Sequence, residues 1–245
     1  MTENLMTADK AWTRQLADDG YLVRRGVLTA AELDAVRNEF DRLFDLHPGG
    51  VDQRVLLTSP VFLDLLQKPA VLSLAQEPFG SQCQLLMYAL RRGGDPYGGA
   101  PRKWHRDFDF VADRLLSLNV ILYLDTLPAD DGATAVLPGS HRLRDGVPAT
   151  DLPAASEVTV PVNAGDVLLN WSTLVHSGTP KKSDGSRRLV LLYFGHWWLK
   201  RYEHDEQLPW QAFVGASDER LSLLGIRMPG RDLHVDATIA GHPWL

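Results

Sequence analysis

Two periods divide the chain. Up to about residue 77 apolar residues recur every three or four positions, whereas from about residue 82 they alternate or form short runs bounded by turn residues. Ala11, Trp12 and Leu16 predict a short helix over 8–19 that ends at Gly20, and Tyr21-Leu22-Val23 then reads as a strand. Thr29 with Glu32 three residues later forms a capping box. The helix it opens carries Leu33, Val36, Phe40, Leu43 and Phe44 as one apolar stripe, and Pro48-Gly49-Gly50 stops it. A further helical stretch is expected over 60–77, with Pro60 near its start and Pro69 breaking it in two.

The second half predicts strands at 83–91, 105–110, 115–124, 134–137, 158–162, 166–170 and 187–197. Turns rich in Gly, Pro and Asp separate them and no helical crossover intervenes, which points to an antiparallel sandwich or jelly roll. Two long connections stand out, Gly93–Lys103 and Arg144–Ser156. The first leads into His105 and reads equally as a lid or a solvated connector. Beyond Lys200 a helix is expected at 217–224, with Ser217 as its cap.

Composition narrows the function. The 245 residues are 44% hydrophobic and 23% charged, which suits a single domain with a helical part (1–80), a strand-rich core (81–200) and an extension (201–245). A net charge of -6 argues against a nucleic-acid surface as the main function. The lone Cys83 excludes a disulfide framework and reads as a small buried residue in a reducing compartment. The opening MTENLMTADKAW lacks the pattern of a secretory leader, and no apolar run reaches the ~20 residues that span a bilayer. A cytoplasmic protein with a small-molecule partner, engaging neither nucleic acid nor membrane, is the expectation.

The candidate chemistry centres on Trp104-His105-Arg106-Asp107-Phe108. In an extended segment His105 and Asp107 point to one side, offering an imidazole and a carboxylate to one metal ion. A second His would complete the two-His, one-carboxylate set of non-haem Fe(II) oxygenases. His176 follows Gly165-Asp166 and the strand Val167-Leu168-Leu169, and precedes Gly178 and Pro180, so it sits where a strand ends or a turn leaves it. His141, in the turn Pro138-Gly139-Ser140-His141, competes but reads better as a hydrogen-bonded loop residue. His47, His204, His234 and His242 lie in polar surroundings, and His196 ends a strand or lines a pocket beside Trp197-Trp198. Arg187 and Arg188 open the last strand; each either snorkels at a sheet edge or grips a carboxylate with its planar fork.

These motifs, in this order, resemble the phytanoyl-CoA dioxygenase family of Fe(II)/2-oxoglutarate-dependent oxygenases from about Leu16 to Trp198. Asp19-Gly20-Tyr21-Leu22-Val23 is similar to the family's opening segment, and Trp104 to Phe108 to its first metal motif. Gly132-Ala133-Thr134 through His141 resembles its turn between core strands, and Ala164-Gly165-Asp166-Val167 with His176 the strand that delivers the distal ligand. The resemblance implies a mainly β fold with flanking helices, a double-stranded β-helix (jelly roll, cupin-like). It also implies Fe(II) on His105, Asp107 and His176, and 2-oxoglutarate and O2 as co-substrates. Arg187, eleven residues beyond His176, would then be the 2-oxoglutarate anchor, with Arg188 the alternative. The family's hydroxyl after the distal His could be Ser177 or Thr179. Asn119, polar within the apolar Leu116–Leu124 strand, either touches the co-substrate or is a satisfied buried amide. Decarboxylation to succinate and CO2 would drive hydroxylation most often, and desaturation, ring closure or epoxidation otherwise. Asp107 speaks against a halogenase, which would replace the carboxylate. Phe108, Phe110, Arg106, Trp171 and Trp197 are the residues expected to face an amphiphilic substrate. The competing readings are a jelly-roll metal enzyme that uses no 2-oxoglutarate and a catalytically silent binding protein.

Overall fold

In the computed structural model, which describes residues 14–48, 50–80, 83–93, 102–143, 156–201 and 208–226, Thr29 starts the longest helix as its capping box predicts. The Glu32 amide donates to Thr29 Oγ1 at 3.4 Å and the Thr29 amide donates back to Glu32 Oε2 at 2.9 Å. Helix α1 (Ala30–Leu46) buries Leu33, Val36, Phe40 and Leu43, with Phe44 partly covered beside them. Residues 14–19 are helical and end at Gly20; residues 8–13 of that expected helix lie outside the described residues. Pro69 divides the next helical stretch as expected, giving α3 (Pro60–Gln67) and α4 (Pro69–Phe79), each with proline in its first turn. A two-residue strand, β2 (Val51–Asp52), and a single helical turn, α2 (Gln53–Leu56), precede them. Neither is long enough to leave a period in the sequence.

Strands β1 (Tyr21–Arg24), β3 (Cys83–Arg92), β4 (Ser117–Tyr123), β7 (Val167–Trp171) and β9 (Arg188–His196) join β2 in a six-stranded sheet ordered β1-β7-β4-β9-β3-β2. A smaller sheet, ordered β6-β5-β8, pairs β5 (Thr134–Val136) with β6 (Val158–Val160) and β8 (His176–Gly178). All pairings are antiparallel. The two sheets face each other as a jelly roll, and the helices cover the outer face of the large one.

Strand alternation builds two cores from the same strands. Leu85, Leu118, Val120, Leu122, Leu169, Val190 and Leu192 pack under the helices with Phe40, Phe62 and Leu66. Met87, Ile121, Tyr123, Leu168, Leu189, Leu191 and Tyr193 point the other way, towards Val136, Val160 and Val162 of the small-sheet side. Helix α5 (Asp218–Leu223), capped by Ser217 as predicted, buries Leu223 against the helical side.

Two expectations need correction. The strand at 105–110 is reduced to a single bridge, His105 with His176, because the amides of Asp107 and Phe108 both turn to one acceptor, Ser172 O, instead of pairing along a neighbour. His176 itself lies within β8, a three-residue strand that is too short to show alternation. Most of the two long connections, residues 94–101 and 144–155, falls outside the described residues, as does the lid reading of the first.

Candidate metal centre

His105 and His176 are tied to each other through their backbones. The amide of each donates to the carbonyl of the other at 3.0 Å, the reciprocal pairing of an antiparallel bridge. Their rings lie side by side with centroids 4.3 Å apart. Asp107 is fixed from the adjacent turn, where its amide donates to Ser172 O at 2.9 Å. Its carboxylate reaches both histidines: Oδ1 lies 3.8 Å from His105 Nε2 and Oδ2 3.4 Å from His176 Nε2. One donor atom from each of the three falls within 4.8 Å of the others, close enough to share one ion.

The tautomers follow from the backbone. His176 Nδ1 lies 3.0 Å from Leu174 O and His105 Nδ1 lies 3.4 Å from Lys103 O. Donation from Nδ1 to these carbonyls leaves the Nε2 lone pairs directed at the shared position, the arrangement that metal-binding histidines use. Nearly half of the His105 side chain is accessible, yet desolvation by the surrounding protein, followed by the neighbouring His176, holds its pKa below the ordinary imidazole value. Asp107 and the Lys103 carbonyl pull the other way. A neutral imidazole is the form that ligates. Two histidines and a carboxylate with their donor atoms this close together therefore fit a non-haem iron.

Asn119 stands behind the carboxylate. It is fully buried on the inner face of β4, its amide nitrogen donates to Asp107 Oδ2, and its oxygen accepts from Ser172 Oγ at 2.6 Å. Ser172 thus holds Asp107 twice, through its carbonyl and, by way of Asn119, through its hydroxyl. No signal in the sequence singled out Ser172, because its partners are brought to it only by folding.

The two arginines part company. Arg188 lies on the helix-covered face and is engaged by two carboxylates: Nη2 to Asp125 Oδ1 at 2.7 Å and Nη1 to Asp41 Oδ2 at 2.8 Å. Arg187 has the parity of Leu189, Leu191 and Tyr193, the face between the sheets, and its Nε donates to Gly132 O at 2.8 Å. The hydroxyls after His176 both serve the backbone, Ser177 Oγ donating to Lys103 O at 2.9 Å and Thr179 Oγ1 to Ala133 O at 2.7 Å.

His141 is fully buried away from the donor cluster, with Nε2 3.1 Å from Ala17 O and its ring against Trp171. Gly20, at φ +82°, makes room for it: a Cβ there would come within 2.4 Å of His141 Nδ1. His196 ends β9 and stacks on Trp198, and His47 is exposed. His204, His234 and His242 lie outside the described residues. Cys83 is buried, and desolvation pushes its thiol up to about 11, the inert state expected of it.

One residue on from Asp107 begins a shallow, open cleft, about 190 Å3 when the solvent at its mouth is counted, lined by Phe108, Phe110, Arg114, Leu116, Trp171 and Thr173 among others. Three of the five residues expected to face a substrate are there. Arg106 sits behind it, its Nε donating to Thr173 O at 3.0 Å, and Trp197 lies outside the lining at the end of β9.

A jelly roll with two histidines and a carboxylate converging from one bridge and one turn defines the class of non-haem iron oxygenases. The phytanoyl-CoA dioxygenase family matches residues 16–189, and the chain belongs to that family. It shares the family's general class, oxygenase-type enzymes that depend on iron, 2-oxoglutarate and O2. Among solved structures it is similar to SnoN, a non-haem alpha-ketoglutarate-dependent epimerase from nogalamycin biosynthesis. The identity is 25%, over 78% of this chain and 81% of that one, with a TM-score of 0.66. HygX from Streptomyces hygroscopicus, solved with nickel and 2-oxoglutarate bound, shares the fold at 20% identity, covering 77% of this chain and 86% of that one with a TM-score of 0.64. The uncharacterized protein Rv1501 of Mycobacterium tuberculosis is 28% identical over 191 residues, 70% of this chain and 69% of its own length. Among the described residues no helix is long and apolar enough to cross a membrane.

Proposed function

We propose that the protein is an Fe(II)/2-oxoglutarate-dependent dioxygenase that hydroxylates or otherwise oxidises a small molecule of specialised metabolism. His105, Asp107 and His176 hold the iron, and Arg187 receives the distal carboxylate of 2-oxoglutarate. The observation that carries the reading is the convergence of the three donors with the carboxylate kept in place by Asn119 and Ser172. Iron with 2-oxoglutarate and O2 supplies the oxidising power; the protein's own residues supply position. Asp107 is held by amide and side-chain bonds, the histidines are locked to each other, and Phe108 begins the cleft one residue from the carboxylate. Strand parity supports Arg187 as the anchor, since Arg188 points to the opposite face and is engaged by Asp125 and Asp41. SnoN, an epimerase, supports the setting in specialised metabolism and widens the outcomes to include stereochemical inversion.

The test has two stages. Anaerobic titration should give one Fe(II) per chain and one 2-oxoglutarate per iron; candidate substrates are then screened with O2 and ascorbate by mass spectrometry. Succinate formed with an oxidised product supports the reading, and failure to bind 2-oxoglutarate in the presence of iron sinks it. Because Asp107 fills the position a halide would need, product masses in chloride or bromide buffer should show no halogen.

A further inference from the structure

The cleft next to the donor cluster has a chemical bias of its own. It begins one residue from Asp107, since the amides of Asp107 and Phe108 share Ser172 O, and Trp171 and Thr173 on either side of Ser172 form one wall. The lining also holds two phenylalanines: the Phe108 and Phe110 rings meet edge to face at 6.5 Å and 72°. Phe110 is 59% exposed, an open apolar surface three residues along the chain from Asp107. Rings of this kind bind flat apolar groups by face and edge contacts.

Among the described residues Arg114 is the only charged one in the lining. Many of the chain's arginines have carboxylate partners, Arg188 with Asp125 and Asp41, Arg102 with Glu157, Arg54 with Asp52. Arg114 has no hydrogen-bond or ion-pair partner among the described residues. Asp109 and Asp113 neighbour it in sequence but do not line the cleft, and Arg106 adds a second guanidinium behind the same wall through its bond to Thr173 O. An unpaired guanidinium at the rim of an aromatic slot selects for an anion attached to a flat ring.

Building on the enzyme reading above, we propose that the substrate is a flat-ringed anion whose ring lies against Phe108, Phe110 and Trp171 and whose carboxylate or phosphate meets Arg114. The group to be oxidised is thereby directed towards the iron side of the cleft, where Asp107 lies.

Calorimetry on the full-length protein tests this without turnover. The probes are 2-naphthoate, 2-naphthyl phosphate and the neutral 2-naphthylmethanol, titrated into metal-free protein and, without O2, into protein loaded with Fe(II) and 2-oxoglutarate. At least one anion should bind about tenfold more tightly than the alcohol in both forms, and the better anion names the group. Arg114→Gln should erase that preference, Arg114→Glu should invert it and Arg114→Lys should keep part of it. Phe110→Ala should weaken all three probes alike. Equal binding of anions and alcohol, or a preference that survives in Arg114→Gln, overturns the proposal. An anion preference confined to the iron-loaded form would place the anion on the metal and overturns it too. Titrating 2-oxoglutarate into the iron-loaded wild type separates the two claims: its failure to bind would sink the enzyme reading while the cleft measurement in metal-free protein still stands.

Discussion

On the helix-covered face of β4, β7 and β9, the residues Leu118, Val120, Leu122, Val167, Leu169, Val190, Leu192 and Phe194 form an unbroken apolar ladder. The inner face of the same strands is interrupted: Ser117, Asn119 and Asn170 are buried polar groups among Ile121, Leu168 and Leu191. Burying an amide costs free energy unless it is hydrogen-bonded, and the Asn119 amide is bonded at both ends. Here Asn119 holds Asp107. On the proposed function the outer face makes stability and the inner face makes chemistry, and parity puts the adjacent residues Arg187 and Arg188 on opposite sides of that division.

The division can be broken from either side. The largest effect on the inner face is expected from His176→Ala, which should abolish turnover and weaken iron binding. Metal analysis retaining one iron per chain with normal activity would refute the assignment, and His141→Ala should leave the iron in place. On the outer face Phe40→Ala should cost about 3–5 kcal/mol in urea unfolding while the folded fraction binds iron as before. A loss of iron affinity there would mean that the two faces are coupled.

Smaller changes sharpen it. Arg187→Ala should raise the apparent constant for 2-oxoglutarate about ten- to hundredfold, the worth of a charge-assisted bidentate contact of about 1.5–3 kcal/mol. Arg188→Ala should instead lower stability, since it takes the shared guanidinium from Asp125 and Asp41 and leaves them only Arg37 and Arg92, and leave 2-oxoglutarate affinity unchanged. The reverse ranking in an anaerobic titration would move the anchor. Asn119→Ala should weaken iron about tenfold or more, the usual scale for a residue that orients a ligand. If it weakened 2-oxoglutarate and spared iron, Asn119 would be a co-substrate contact after all.

The smallest effect concerns pH. Burial holds His141 below the ordinary imidazole pKa, so the unfolded chain takes up a proton near pH 6.5 that the folded chain resists. The metal-free protein should therefore lose stability as pH falls below about 6.5, by at most about 1.4 kcal/mol per unit from this residue. His105 contributes with the same sign. Denaturation midpoints from pH 7.5 to 5.5 should fall less steeply in His141→Gln than in the wild type.

Much of this plan was legible before folding. The capping box at Thr29, the break at Pro69 and the long strands β3, β4 and β9 each carry a local signal strong enough to read. His105, Asp107 and His176 could be paired as candidates because spacing and strand ends have chemical meaning. What stayed hidden depends on which distant segments meet. Alternation grouped Arg187 with Leu189 and Leu191, but only the packing of Val136 and Val160 against that group identifies it as the inside. Asn119 was visible as a polar break in an apolar strand, yet its partners Asp107 and Ser172 lie 12 and 53 residues away in the chain. The short strand β8 was not read, since His176-Ser177-Gly178 carries neither an apolar run nor a β-branched residue to mark it.

The reciprocal bridge between His105 and His176 has a consequence for how the cofactor arrives. Two of the three proposed ligands are clamped to each other by a reciprocal pair of backbone hydrogen bonds, which fixes the spacing of their chains independently of what their rings bind. On the proposed function, iron is expected to enter a socket already shaped and not to nucleate folding, unlike the ion of a small zinc domain whose chain is disordered without it. Loading should be reversible by chelation with the fold retained, and occupancy should raise the melting temperature only in proportion to free iron over its dissociation constant.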